Sequence, residues 1–186
     1  MKKIVIFASG SGSNAENIFH RLNEKIEIQA IFCNNSKAGV IERANRLGIP
    51  LVLFDKTDWN SNTVINKLIS FGPDLIVLAG FLWKVPETFV QKFPNKIINI
   101  HPSLLPKFGG KGMYGHHVHE AVIAANEHKS GITIHYVNEH YDEGTYIFQA
   151  ECDLSEAENK ETLAQKIHLL EFEYFPSIIE NLLNAQ

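Results

Sequence analysis

The chain has 186 residues, 45% hydrophobic and 20% charged, the balance of a soluble globular protein rather than a disordered or fibrous one. A formal net charge of −4 excludes a broad basic surface for nucleic acid or anionic membrane, and no apolar run approaches the length of a membrane span. Cys33 and Cys152 follow no metal or redox spacing and read as buried free thiols of a reducing, cytoplasmic compartment.

In chain order, Lys3–Ala8 is apolar and β-branched, the pattern of a buried parallel strand. Ser9-Gly10-Ser11-Gly12-Ser13-Asn14 follows, and a helix is predicted from about Asn14, with Ser13 and Glu16 at capping-box spacing. A strand, a glycine turn and a helix start together form an anion site, because backbone N–H groups can approach the ligand and the helix dipole favours negative charge. Gly10, Gly12 and Ala15 also satisfy the loose Gly-x-Gly-x-x-Ala dinucleotide pattern. However, the second strand, Ile26–Cys33, ends in Asn34-Asn35-Ser36 without the carboxylate that a dinucleotide ribose requires, so a single phosphate group is the better ligand.

A helix is predicted over Ala38–Leu47, closed by Gly48, then a strand over Pro50–Phe54 and a helix from about Asn60 to Phe71. Asp74–Ala79 is the fourth strand, and Gly80-Phe81-Leu82-Trp83 at its end could line a flat-ring pocket or belong to the core. A short helix near Pro86–Lys92 leads to the strand Ile97–Ile100. Lys107–Gly115, rich in glycine, reads as mobile, and His116–Ala125 as a helix. His116, His117 and His119 have no carboxylate or cysteine at a ligand spacing, which favours a surface cluster over a metal site. Gly131–Tyr136 alternates like a half-exposed strand, and Thr145–Cys152 pairs with it across a polar loop. From Lys160 onward the chain is helical, with Leu163, Ile167, Leu170 and Tyr174 as its apolar stripe and Pro176 expected to kink or restart it.

These elements predict one α/β domain over residues 1–186, a doubly wound, mostly parallel, Rossmann-like sheet with an antiparallel C-terminal extension. The organising stretch is Ile97-Ile98-Asn99-Ile100-His101-Pro102-Ser103-Leu104-Leu105-Pro106. Asn99 and His101 are two apart, so a strand sends both side chains to one face, at the sheet end where α/β proteins bind ligands. A neutral donor, a proton carrier and an acidic loop fit acyl or formyl transfer to an amine, in which donors stabilise the oxygen of a tetrahedral intermediate. A carboxylate nearby, Asp142, is expected to raise the His101 pKa and keep the ring cationic. A Ser103 nucleophile fits poorly, because Ser103 lies in no Gly-x-Ser-x-Gly elbow.

Four motifs carry a family resemblance: Ser9–Asn14, Asp74–Phe81, Asn99–Pro106, and Gly131–Val137 running into Asp142-Glu143-Gly144. In them the sequence resembles the phosphoribosylglycinamide formyltransferase branch of the folate-dependent formyltransferases, along nearly its whole length. The resemblance implies transfer of a formyl group from 10-formyltetrahydrofolate, the cosubstrate, to the amine of 5-phosphoribosylglycinamide, without a metal. It matches Asn99, His101 and Asp142 to the catalytic trio, and Gly12, Ser13 and Asn14, in the turn that also holds Gly10 and Ser11, to the phosphate site. Glu171 is matched to a carboxylate that holds the glycinamide amine. Leu82, Trp83, Lys84, Val85 and Asn99, with Tyr141 and Asp142 of the 137–143 loop, are matched to the folate surroundings, and His135 to a neighbour of the catalytic residues. Trp83 stands where better-known members carry Arg, and Lys56 is the candidate basic folate contact.

Overall fold

The computed structural model describes residues 1–185. Its strands are β1 (Lys2–Ala8), β2 (Ile26–Cys33), β3 (Leu51–Leu53), β4 (Leu75–Leu78), β5 (Ile97–His101), β6 (Lys129–Tyr136) and β7 (Tyr146–Asp153). The helices are α1 (Ser13–Leu22), α2 (Val40–Leu47), α3 (Lys56–Asn60), α4 (Thr63–Phe71), α5 (Glu87–Lys92), α6 (His116–Ala124) and α7 (Lys160–Asn184). The seven strands form one sheet in the order β3-β2-β1-β4-β5-β6-β7. β1 to β5 are parallel, while β6 runs antiparallel to both β5 and β7. This is the doubly wound sheet with an antiparallel extension that the element pattern implies.

The sheet separates two cores. Successive side chains of a strand point to opposite faces, so Ile4, Ile6 and Ala8 of β1 enter one core with α1, α2, α6 and α7. Val5 and Phe7 enter the other, with Phe54, Trp59, Phe81 and residues of α4 and α5. Strands covered on both faces read as continuous apolar runs, as β1 and β4 do.

Several local expectations are corrected. The residue flanking α1 is Gly12, in a left-handed conformation at φ 78°, and no side chain caps the helix. A Cβ at residue 12 would lie 2.4 Å from Val40 Cγ2, so the chain passes α2 at a separation only glycine permits. Glu16 does not close a capping box; it pairs with Arg43 and Arg46 of α2. The predicted 60–71 helix is α4, starting at Thr63, and an unpredicted short helix, α3, precedes it, because Asp55 and Asp58 make a capping box that starts α3 at Lys56. β6 is buried from Ser130 to His135 rather than half-exposed, since β5 and β7 flank it and α7 packs on it. Cys33 is buried, but Cys152 is only partly so.

Helix α7 runs unbroken through Pro176. Proline has no N–H for the carbonyl four residues back, which here is that of Phe172. That carbonyl instead accepts a 3.0 Å hydrogen bond from Asn17 Nδ2 on α1, so the helix continues with its orphaned acceptor satisfied by a neighbour. The fully covered residues of α7 are Leu163, Ile167, Phe175, Pro176, Ile179 and Leu183, whereas Leu170 and Tyr174 are only partly buried. The buried seam thus has a four-residue step, and Glu171 falls in its middle.

Candidate active site

The strand order reverses between β1 and β4, and open α/β sheets bind ligands at that switch point, beyond the strands' C-terminal ends. Here the loops after β1, β4 and β5 converge. Ser9 N donates to Gly80 O at 3.0 Å, and Leu82 N donates to Ser9 Oγ at 3.1 Å, which stitches the first two loops together. A cavity of about 870 Å³ opens between them, lined by Ser11, Ser13, Asn14, Asn99, His101, Asp142 and Glu171 among others.

The antiparallel β5–β6 register sets Asn99 opposite His135 and His101 opposite Thr133. His135 Nδ1 lies 2.8 Å from its neighbour's carbonyl, Tyr136 O. A carbonyl only accepts, so Nδ1 carries a proton, and Nε2 is the nitrogen turned toward Asn99. Asn99 Nδ2 donates to that Nε2 at 3.1 Å, which orients the Asn99 amide and leaves its second N–H free.

His101 is 3% exposed. Its Nε2 donates to Phe108 O at 2.8 Å, and its Nδ1 lies 3.6 Å from Asp142 Oδ2. The other Asp142 oxygen is 3.7 Å from His135 Nε2, and Gly110 N donates to Oδ2 at 2.9 Å. Among the described residues the backbone is left-handed at four non-glycine positions, and two of these, Phe108 and Asp142, both contact His101. The other two are Asn95 and Asn126, a residue type that tolerates this conformation. Left-handed backbone at Phe108 turns its carbonyl onto the ring, a local cost of order 1 kcal/mol of the kind that collects at functional sites.

The expected electrostatics are corrected. Burial, the largest effect, pushes the His101 pKa below the ordinary imidazole value and outweighs the nearby Asp142 carboxylate, so the resting ring is neutral at pH 7. Burial also works against the Asp142 carboxylate. There, however, His135, His101 and the Gly110 N–H prevail and hold its pKa below the usual value, keeping it ionised.

The 102–107 segment after His101 is anchored by hydrogen bonds. Ser103 Oγ donates to Lys107 O at 2.7 Å, and Thr133 Oγ1 donates to Ser103 O at 2.7 Å. Gln149 Nε2 bonds both Thr133 Oγ1 and Leu105 O. Ser103 is fully buried with its hydroxyl committed, which disfavours a nucleophilic role.

At the other end of the cavity, Ser13 and Asn14 begin α1, whose first N–H groups have no side-chain cap. Uncapped helix N–H groups suit an anion. Glu16 would oppose that charge, but Arg43 and Arg46 neutralise it, and Arg43 Nε also donates to Ser11 O at 2.9 Å. Gly10 and Gly12 shape the turn while Ser11, Ser13 and Asn14 face the cavity. Asn14 Nδ2 donates to Glu171 Oε2 at 2.9 Å, and its buried Oδ1 has no partner. His168 Nδ1 is 3.4 Å from the same Glu171 oxygen.

An adjoining cavity of about 540 Å³ is lined by Lys56, Trp59, Trp83, Lys84 and Val85, and shares Leu82 and Tyr141 with the first. Trp83 packs in an aromatic cluster with Phe54, Trp59 and Phe81, and Lys56 Nζ sits 4.1 Å from its ring centre. All the site residues expected from sequence therefore border these two cavities or their loops.

Two contributors had no side-chain signal in the sequence, the Phe108 carbonyl and the Gly110 N–H, and a third, His119, had one that was read otherwise. His119 was expected on a surface cluster, yet it is buried in the wall of the larger cavity. Among the described residues, no group of three or more His, Cys, Asp or Glu side chains is placed to hold a metal ion, and no helix is long and apolar enough to cross a membrane.

The pattern of the formyl transferase family matches residues 2–179. The phosphoribosylglycinamide formyltransferase of Bacillus subtilis (strain 168) is 39% identical over 191 aligned positions, covering 98% of this chain and 95% of that protein. The crystal structure of phosphoribosylglycinamide formyltransferase from Bacillus halodurans superposes with a TM-score of 0.89 at 35% identity, covering 98% of this chain and 95% of that one. That of glycinamide ribonucleotide transformylase 1 from Symbiobacterium toebii gives 0.90 at 30% identity, covering 100% and 89%. Sequence pattern, sheet order and chain coverage agree from end to end, and the chain belongs to the formyl transferase family.

Proposed function

We propose that the protein transfers the formyl group of 10-formyltetrahydrofolate to the amine of 5-phosphoribosylglycinamide, a step of purine biosynthesis. The observation that carries this reading is the joining of an anion-binding helix start, the Glu171 carboxylate and the Asn99–His101–Asp142 cluster in one cavity. The relatives named above act on that ribonucleotide by their names, and they align along nearly the whole chain.

In this reading the ribonucleotide phosphate lies on the N–H groups of Ser13 and Asn14, with Gly10, Ser11 and Gly12 shaping the turn. Glu171 holds the amine. The donor's flat ring lies against Leu82, Val85 and Tyr141, near Asn99 and Asp142, and its anionic tail runs toward Lys56 and Lys84 beside Trp83.

The amine attacks the formyl carbon, and the carbonyl electron pair moves to oxygen. The free N–H of Asn99 and the His101 ring stabilise that oxygen. Negative charge developing there, together with Asp142, raises the proton affinity of His101 against its burial, so Nδ1 takes a proton from water as the intermediate forms, the imidazolium donates a hydrogen bond to the oxygen, and the proton returns to water on collapse. Asp142 stays ionised throughout.

The test is a formyl-transfer assay with 10-formyltetrahydrofolate and glycinamide ribonucleotide, alongside a reaction without the ribonucleotide. Deformylation that depends on the ribonucleotide is expected. Deformylation without it would replace the transferase reading with a hydrolase. His101→Ala should lower kcat by about 10²- to 10³-fold, the usual loss for one oxyanion donor, with little change in ribonucleotide affinity. An equal loss of binding would make His101 structural.

A further inference from the structure

We infer that His119 is the base that takes the proton from the incoming amine. The inference rests on the proposed transfer to a primary amine. Such an amine, adjacent to a carbonyl like a chain terminus, has an ordinary pKa of about 7.7–8.0 and is largely ammonium at pH 7. An ammonium has no lone pair with which to attack. Glu171 holds the charged form in place and, by the same attraction, keeps it charged. The cavity therefore needs a proton acceptor near Glu171.

Most of the titratable groups there are committed. Asp142 accepts from Gly110 N, and its carboxyl is held in the ionised, weakly basic state. His101 has Phe108 O on one nitrogen and Asp142 beside the other. His135 has Tyr136 O on one nitrogen and Asn99 on the other. His116 and His168 line the rim and are open to water.

His119 differs from all of these. It lies in the cavity wall, is 7% exposed, and its buried Nδ1 has no hydrogen-bond partner. A buried polar atom left unpaired is rare in native proteins and calls for a functional account. The charged and titratable groups that act on it are Glu171 of α7, His116 of its own helix and His101 of β5. Burial pushes its pKa down and outweighs the pull of Glu171, so the ring is neutral and able to accept a proton.

The step balances within the site. One N–H bond of the ammonium breaks, its electron pair stays on the amine nitrogen, and the proton bonds a ring nitrogen of His119, giving imidazolium. The free amine then attacks the formyl carbon. A second amine proton reaches the departing nitrogen of the donor when the intermediate collapses. His119 returns its proton to water once product leaves.

The experiment compares kcat and KM of wild type and His119→Gln from pH 6 to 9.5, with glycinamide ribonucleotide and 10-formyltetrahydrofolate. Glutamine keeps polarity and approximate size but cannot act as the base. At pH 7 the variant is expected to lose about 10²-fold in kcat, the lower end of general acid–base effects, with KM little changed. The deficit should narrow to a few-fold above pH 9, where the acceptor arrives already unprotonated. Imidazole added to His119→Gly should restore rate, which keeps the test available if the glutamine variant folds poorly. A deficit constant across pH, a change confined to KM, or no imidazole rescue would overturn the inference. Wild type without transfer would instead remove the formyl-transfer reading on which it rests.

Discussion

Gly144 shows how closely one position is constrained. A Cβ there would lie 1.7 Å from Tyr136 O, the carbonyl that sets the His135 tautomer and, through it, the Asn99 amide. Gly144→Ala must therefore shift the end of β6. It is expected to lower kcat by more than its effect on thermal stability would explain, measured by parallel rate and melting experiments. Substitution with retained kcat would show that the Tyr136 carbonyl does not govern Asn99. At the opposite end of the cavity, Gly12→Ala combines a positive φ with contact on Val40 and should destabilise by at least about 1 kcal/mol. Calorimetric titration should also show weaker ribonucleotide binding, because the same turn aims the N–H groups of α1.

At the scale of elements, α1 holds α7 through two amide side chains one turn apart. Asn14 Nδ2 reaches Glu171, and Asn17 Nδ2 reaches the Phe172 carbonyl released by Pro176. The second contact explains a helix that crosses a proline without breaking. Asn17→Ala leaves that carbonyl without its partner and is expected to cost about 1–3 kcal/mol in denaturant unfolding. The double variant Asn17→Ala with Pro176→Ala should recover part of the loss, since alanine restores the helical donor. No recovery would mean that Asn17 stabilises the pair of helices by packing rather than by satisfying the carbonyl.

Over the whole molecule, two buried histidines, His101 and His119, have pKa values lowered by burial. The unfolded chain then binds protons that the folded chain resists. Stability is full above the ordinary imidazole value of about 6.5 and falls as pH drops from there toward the lowered folded values. Asp142, whose pKa is also lowered, favours the fold above its ordinary value of about 3.9 and adds a further loss as pH falls through its depressed folded value. Melting temperature should begin to decline below about pH 6.5, and His119→Gln should flatten that first decline. An unchanged pH dependence in the variant would show that His119 is not neutral in the folded protein.

The sequence alone determined the alternation of strands and helices, the sheet class, and the chemical content of the central motif, because periodicity and turn chemistry are local. Asn99 and His101 share a face in any strand, and Ser9–Asn14 forms a glycine turn before a helix wherever it is placed. Tertiary structure decided what depends on neighbours distant in the chain. Burial of His101 reverses the expected direction of its pKa, and Val40 requires glycine at residue 12, which flanks α1 where a Ser13 side-chain cap was expected. Asn17 lets Pro176 stay inside a helix, and the wall of the cavity turns His119 inward. The physical reason is the same in each case: desolvation, steric contact and backbone satisfaction depend on which atoms surround a residue, and in this fold those atoms come from segments far apart in sequence.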